Sequence, residues 1–410
     1  VTIAVPAESA ALRWYALSHG SAELFAHASD IDQLIWQSAF ADQHKDFEYY
    51  RLLEETMTEQ FVYRYLLVRD RDGEPIALQP LIITKQDLAA SAGAFCQRAV
   101  ASVRMLWPRF LRSEMLMVGC VVGEGHFGFV PPHDRRDAAR LVAEALEQHA
   151  DAERFALTTW KDFPVEERDA LDVLRSSGYT RIAGFPPLQL ILDFNSFEEY
   201  VETRLSKAMR KNLRRKLRVA DDANPRIELD VLTNAEGVID EICPLYHAVA
   251  QRSEVEFEVF TRDYFLEASR RMPGRFRYFV WRQNGRAIAF SFCTLWNDTI
   301  YDNDIGMDYS VAHDLNLYHL TFRDIVTWAL KNGLRRYCSA PFNYETKLHL
   351  RLAPIPVDVY VRHRSRVINA LIKRIAPFFA PARSDPALRQ YQNARQELDW
   401  LNQSSSKTAL

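Results

Sequence analysis

A chain of 410 residues exceeds one ordinary domain and suits two of roughly 150–200 residues each. Hydrophobic residues make up 48% and charged residues 26%, a globular composition, and the net charge of −3 excludes polyanion binding by bulk electrostatics. The cysteines (Cys96, Cys120, Cys243, Cys293, Cys338) are far apart and never paired as CxxC, which argues against a disulfide framework or a zinc site; a reducing, cytoplasmic compartment and no metal are expected.

The opening VTIAVPAESA has neither a basic stretch nor a sustained apolar run, so no secretory leader is expected there. Phe61–Val68 and Pro75–Thr84 are strand-like runs joined by a turn carrying Asp72-Gly73. The most apolar stretch, Ser102–Val122, is interrupted by Arg104, Arg109, Arg112 and Glu114 and is not expected to span a membrane. A third strand is predicted at about Glu114–Val122, followed by Gly123, Gly125 and Gly128. Next come a helix over Asp134–Gln148, apolar at Ala138, Leu141, Val142 and Leu146, and a strand over Arg154–Trp160.

From Arg204 to Arg218 there are eight Lys or Arg and no acid, with Leu205, Met209, Leu213 and Leu217 forming one narrow apolar stripe. Glu198, Glu199 and Glu202 precede this run, so acids sit toward the helix N-terminus and bases toward its C-terminus. Either the helix is a solvated one packed by its stripe, or Arg210, Lys211 and Arg214 meet an anion such as a phosphate or a lipid headgroup. Beyond it the first order recurs: strands Arg277–Arg282 and Arg286–Trp296 around Asn284-Gly285, a third strand at about Thr299–Gly306, a helix over Leu315–Lys331 and a strand at Arg335–Ser339. Both copies read strand, strand, strand, helix, strand. The expected fold class is therefore α+β, two mixed sheets flanked by helices, with domains at 1–194 and 195–361 and a tail at 362–410.

The run FEEYVETRLSKAMRKNLRRKLRVAD resembles the segment that opens the second half of FemABX-like and BioF-like acyltransferases, which are tandem proteins of the acetyltransferase (GNAT) fold. The stretch LYHLTFRDIVTWALKNGLRRYCSAPFNYETKLHLRL resembles them too, with Tyr344 and Lys347 matching a Tyr-x-x-Lys. The resemblance implies transfer of an acyl group to an amine, with acyl-CoA as co-substrate or, in Fem-like relatives, aminoacyl-tRNA as donor. Two departures from the family stand out. Where its pyrophosphate loop would lie, the second half has Gly306-Met-Asp-Tyr-Ser-Val-Ala-His-Asp, whose Asp308 and Asp314 oppose a phosphate. The long coiled-coil insertion of some Fem proteins is also missing.

Acyl transfer to an amine needs a base for the ammonium proton, donors for the oxyanion and a proton for the leaving group. Strand alternation would put Asp302 and Asp304 on one face and Tyr301 and Asn303 on the other, so the carboxylates are either a catalytic pair or a structural ion-pair site. His319 is a candidate base and Tyr344 and Lys347 candidate oxyanion and proton groups, with a packed histidine and a surface turn as the alternatives. Tyr301, Tyr309, Glu254 and Glu256 are candidate substrate contacts, the glutamates alternating with Glu258 in SEVEFEV. His126 and His133 lack metal-like spacing and read as structural.

In the tail, Arg362, Arg364, Arg366, Lys373 and Arg374 accompany an apolar face of Val367, Ile368, Leu371, Ile372 and Ile375, followed by Pro377-Phe378-Phe379. This pattern predicts either a helix docked on the body or one lying at an anionic membrane surface, there at the inner face of the membrane. The expected function is acyl-CoA-dependent N-acylation of an amine, with a long-chain or lipid amine such as a sphingoid base favoured. The alternatives are a tRNA-dependent Fem-like transferase and a non-catalytic recognition protein that kept the fold.

Overall fold

The computed structural model describes residues 10–87, 112–252, 258–376 and 385–390. Two compact units emerge, one made of Val1–Phe185 with Pro356–Leu410 and the other of Pro186–Ile355.

The chain enters the first unit through β1 (Arg13–Leu17), β2 (Gly20–Phe25), α1 (Gln33–Ala39) and α2 (Phe47–Thr56). It continues through β3 (Val62–Arg69), β4 (Pro75–Asp87), β5 (Arg112–Val118), α3 (Arg135–Glu153), β6 (Leu157–Pro164) and β7 (Thr180–Ala183). Strands β1 to β5 pair antiparallel in sequence order, and β6 joins β5 in parallel after the chain crosses through α3. Asp134 starts α3 by accepting from the Arg136 and Asp137 amides, which satisfies two of the orphan donors of its first turn. Ala138, Leu141, Val142 and Leu146 then bury against Leu66, Leu81, Leu116 and Trp160, as their spacing predicts.

The second unit contains β8 (Leu188–Ile191), α4 (Phe197–Arg204), α5 (Lys207–Asp221), β9 (Ile227–Leu232), α6 (Ile239–Ala250) and α7 (Arg262–Arg271). There follow β10 (Phe276–Gln283), β11 (Arg286–Trp296), β12 (Thr299–Met307), α8 (Leu317–Lys331), β13 (Arg336–Ser339), α9 (Tyr344–His349) and β14 (Ala353–Pro354). Its sheet runs β14-β8-β13-β12-β11-β10-β9, with β12 and β13 parallel on either side of α8. Asn284 (φ 54°) and Gly285 (φ 74°) turn the β10–β11 hairpin in the left-handed conformation that suits Asn-Gly. Phe265, Phe290 and Phe292 pack edge to face at the centre of this unit.

The chain then returns to the first unit. Strand β15 (Val357–His363) slots between β6 and β7, antiparallel to both, and α10 (Arg366–Ile375) follows it. The units therefore do not follow the expected boundaries at 194 and 361: β8 belongs to the second sheet and β15 to the first. A buried ion pair fixes the return, with Arg168 Nε and Nη2 donating to Asp358 at 2.7 and 2.8 Å. Among the described residues no helix is long and apolar enough to cross a membrane. Much of Ser102–Val122 lies outside them, as do Pro377-Phe378-Phe379 and the terminal QSSSKTAL.

Candidate active site

The second sheet opens at one place. Strands β12 and β13 pair from Thr299–Arg336 to Asp302–Ser339, where β13 ends while β12 runs on to Met307. Just there β12 bulges: Cys293 of β11 faces Asp302 and Phe292 faces Asp304, leaving Asn303 as the extra residue. Consecutive residues of β11 point to opposite sides of the sheet, so their partners do too. Asp302 and Asp304 consequently do not share a face, which corrects the alternation expected from sequence. Gly306 follows because α6 crosses here; a Cβ would strike the Phe290 ring and come within 2.7 Å of the Leu245 backbone.

On one side, the Tyr337 hydroxyl donates to Asp302 Oδ2 at 2.6 Å, and Cys293 Sγ lies 3.7 Å from Oδ1. Burial pushes the Asp302 carboxyl up, opposed by the Tyr337 hydrogen bond and the Lys347 charge. Lys347 is itself buried, its amine donating to the Ala340 and Pro341 carbonyls at 2.5 and 3.4 Å. Burial brings its pKa down to about 8, with Asp302 opposing the shift. Tyr318, on the first turn of α8, is held protonated by burial and by the Asp302 charge. Tyr337, Cys293 and Tyr318 went unnoticed in the sequence because none belongs to a spaced motif; only pairing across three strands and a helix assembles them around Asp302.

On the other side, Asp304 is pushed well above the usual carboxylate range by burial, then by Glu258 and Asp302. Glu258 precedes α7 and is half-buried. Two carboxyls near enough to repel one another favour a cation or a shared proton. Glu254 and Glu256 lie outside the described residues.

The remaining candidates are dispersed. Tyr344 is buried and donates to the Pro186 carbonyl at 3.1 Å, so its hydroxyl anchors α9 and is not presented as a proton donor. His319 Nε2 lies 3.1 Å from Lys216 Nζ, joining α8 to α5. Burial and then the Lys216 charge bring its pKa down to about 4, which makes it a weak base. Tyr301 and Tyr309 are half-buried, and the Arg252 guanidinium stacks 3.7 Å from the centre of the Tyr309 ring. Asp308 is engaged: Arg286 pairs with it at 2.9 Å and it accepts from the Ser310 amide and hydroxyl, so it caps a turn and its charge is partly met.

The basic segment is two helices, not one. Leu205 is extended, and Ser206 starts α5 by accepting from the Met209 amide. The break folds the acids of α4 back along α5: Arg210 meets Glu202 at 3.0 Å, and Arg214 meets both Glu198 and Glu202. Two of the three expected anion contacts are thus spent on internal pairs, while Lys211 stays exposed.

The matching place in the first unit is filled. Strands β5 and β6 pair in parallel from Met115–Leu157 to Val118–Trp160, after which the chain bends back at Gly119. The Gly125 amide donates to the Asp162 carbonyl at 3.0 Å and Lys161 Nζ to the Gly123 carbonyl at 3.0 Å. Lys45 pairs with Glu124 at 3.2 Å; burial alone would raise that carboxyl, but the Lys45 and His44 charges hold it at about 2. A Cβ on Gly125 would come within 2.7 Å of the Lys161 carbonyl, and one on Gly128 would strike that of Leu78. Gly125 and Gly128 serve close backbone packing. His126 lies 3.3 Å from Glu167, as a structural histidine would.

Residues 207–347 match a family model described as an acetyltransferase (GNAT) domain. Among curated proteins the chain is similar to the "Putative 8-amino-7-oxononanoate synthase 2" of Mycobacterium tuberculosis, 23% identical over 332 residues. That match takes in 79% of this chain but 42% of the relative, so the chain spans less than half the relative's length. Among solved structures it is similar to FemX, with a TM-score of 0.52 at 10% identity, covering 88% of this chain and 100% of that one. A tandem GNAT protein from the clavulanic acid biosynthesis pathway scores 0.48 at 13% identity, covering 84% and 99% of the two chains.

Proposed function

We propose that this chain, which carries an acetyltransferase (GNAT) domain within a Fem-like tandem GNAT fold, is an N-acyltransferase that takes its acyl group from acyl-CoA, with the reaction in the second unit. The observation that carries this reading is the parting of β12 and β13 beyond Asp302 and Ser339, with desolvated carboxyls on both sides of the bulge. A thioester laid against the free edge of β12 would meet backbone amides there, the donors an oxyanion needs. The acceptor's ammonium would be drawn to Asp304 and Glu258, whose mutual repulsion a cation relieves. Asp304, raised toward neutrality, would take the proton that frees the amine for attack. Collapse of the tetrahedral intermediate would break the C–S bond and expel the thiolate. The second proton that the attacking nitrogen gives up as the amide forms would reach that thiolate through the Tyr318 hydroxyl, which ends protonated as it began. Asp302, tied to Tyr337, would hold the strand edge in place. Among acceptors we favour a long-chain or lipid amine, a choice supported by the exposed amphipathic helix α10.

A second reading is an aminoacyl-tRNA-dependent transferase. The observation in its favour is that Lys207, Lys211, Arg215 and Arg218 of α5 remain exposed. Binding of the purified chain to acetyl-CoA, long-chain acyl-CoA, and charged and uncharged tRNA, at low and moderate salt, tests both. Saturable acyl-CoA binding that survives moderate salt, followed by thiol release on adding an amine, is the expected result. Selective aminoacyl-tRNA binding that weakens steeply with salt would transfer the assignment to the second reading. Binding of none would defeat both and favour a recognition protein.

A further inference from the structure

We infer that α10 is a membrane-surface helix that lays its apolar face into an anionic bilayer. Val367, Ile368 and Leu371 are 80%, 44% and 54% exposed on this ten-residue helix, so three large apolar side chains share one outward stretch. At 100° per residue Val367, Leu371, Ile375, Ile368 and Ile372 cover one arc, with Arg366 and Lys373 opposite it and Arg374 at its edge beside Val367. Those three cations are exposed.

The helix is nevertheless held firmly. Asn369 accepts from the His363 amide at 2.9 Å and donates to the Gly178 carbonyl at 2.8 Å, and Ala376 at its end is buried. The helix is thus tied to the first unit through Asn369, with Ile372 and Ile375 half-buried, while Val367, Ile368 and Leu371 of its apolar arc stay exposed. A surface helix packed the usual way would do the reverse.

Charge decides the occupant. From Val359 to Ala376 the chain has Arg362, Arg364, Arg366, Lys373 and Arg374 and no acid, and among the described residues only Arg362 and Arg364 of these find acids, Glu147 and Asp151. A second copy of this helix would set like charges together. A helix of ten residues is also only about 15 Å long, too short for the roughly 800 Å² per partner of a stable interface. Residues 377–410 carry four Lys or Arg against three Asp or Glu, so they supply no acidic strap. Anionic lipid meets both needs, with acyl chains for the apolar arc and phosphates for Arg366, Lys373 and Arg374. This inference does not depend on acyl transfer, since no substrate enters it.

The test is cosedimentation of the full chain with phosphatidylglycerol–phosphatidylcholine vesicles and with pure phosphatidylcholine vesicles, at low and near-physiological salt. The wild type is expected to bind the anionic vesicles at least about tenfold more tightly than the neutral ones. V367S/L371S should lose about tenfold or more on the anionic vesicles, and K373Q/R374Q should lose the preference for them together with its salt dependence. All four side chains are exposed, so unchanged circular dichroism and Tm are expected in both variants. No vesicle binding, or equal binding by the wild type and V367S/L371S, overturns the inference. So does a wild-type dimer in solution that V367S/L371S converts to monomer, which would give the face to a second copy.

Discussion

The Tyr337 hydroxyl of β13 donates at 2.6 Å to Oδ2 of Asp302, the last residue of β12 that pairs with β13. That bond counteracts the burial that raises Asp302. Removing it in Tyr337→Phe leaves the carboxylate less stabilised, so the Asp302 pKa climbs further. A hydrogen bond to a charged group contributes about 1.5–3 kcal/mol, which corresponds to roughly 1–2 pH units. If Asp302 must be ionised to hold the strand edge, the acid limb of the pH–rate profile moves to higher pH by that amount. An unchanged limb with unchanged kcat would take Asp302 out of the site.

Asp304→Asn separates chemistry from stability. Burial and the charge of the nearby Glu258 penalise the charged form of Asp304, so its folded pKa lies above the unfolded value. The native state then binds more protons than the unfolded one, and this group's contribution falls as pH rises from the acidic range through the folded pKa. An amide of the same shape escapes that penalty. The variant should melt at or above the wild-type temperature at neutral pH, a gain of about 1 kcal/mol appearing as roughly 2–4 °C. Its turnover should fall by about 10²–10⁴-fold for loss of a general base. Intact turnover in a folded Asp304→Asn chain would refute the assigned base.

Lys347 ties α9 to the turn that follows β13. Its pKa falls from 10.5 to about 8 through burial, Asp302 opposing. Between these values the unfolded chain holds a proton that the folded chain has released, so this group makes stability rise with pH across that window. Urea denaturation across pH 8 to 10.5 in wild type and Lys347→Met isolates the effect, because the variant lacks this rise. Near neutral pH the variant should lose about 1–3 kcal/mol, since the half-buried Ala340 and Pro341 carbonyls lose their donor.

Arg168→Met tests the return of the chain to the first unit. It leaves Asp358, 1% exposed, without the guanidinium that meets both of its oxygens. Loss of one partner of a buried pair costs about 3–5 kcal/mol. Denaturant unfolding should show that loss, and Arg168→Met/Asp358→Leu should recover much of it. A double variant as unstable as the single one would mean that the pair does not hold β15.

The two halves were legible because each repeats a local code. The Asp72-Gly73 and Asn284-Gly285 turns, the apolar spacing at Ala138, Leu141, Val142 and Leu146, and the strand–helix–strand order all act over a few residues, where turn geometry and periodicity suffice. Asp302 and Asp304 were visible as costly carboxyls in a strand, but their arrangement was not. The bulge at Asn303 turns them to opposite faces, and a bulge is set by how β11 and β12 pair. Likewise eight bases with no acid among them read as one helix seeking an anion, whereas the break at Leu205–Ser206 brings Glu198 and Glu202 back onto Arg210 and Arg214.

Sequence by itself determined the α+β class, the duplicated order, the hairpins and the amphipathic character of α10, because these follow from side-chain periodicity and turn chemistry. Tertiary structure decided that β15 lies beside β6 and β7, that the first cleft is filled by its own glycine loop, and that Tyr337, Cys293 and Lys347 gather around Asp302. Each of these depends on groups far apart in the chain meeting in a desolvated place, where a buried charge or unpaired backbone group must find its partner, and no local pattern encodes that partner.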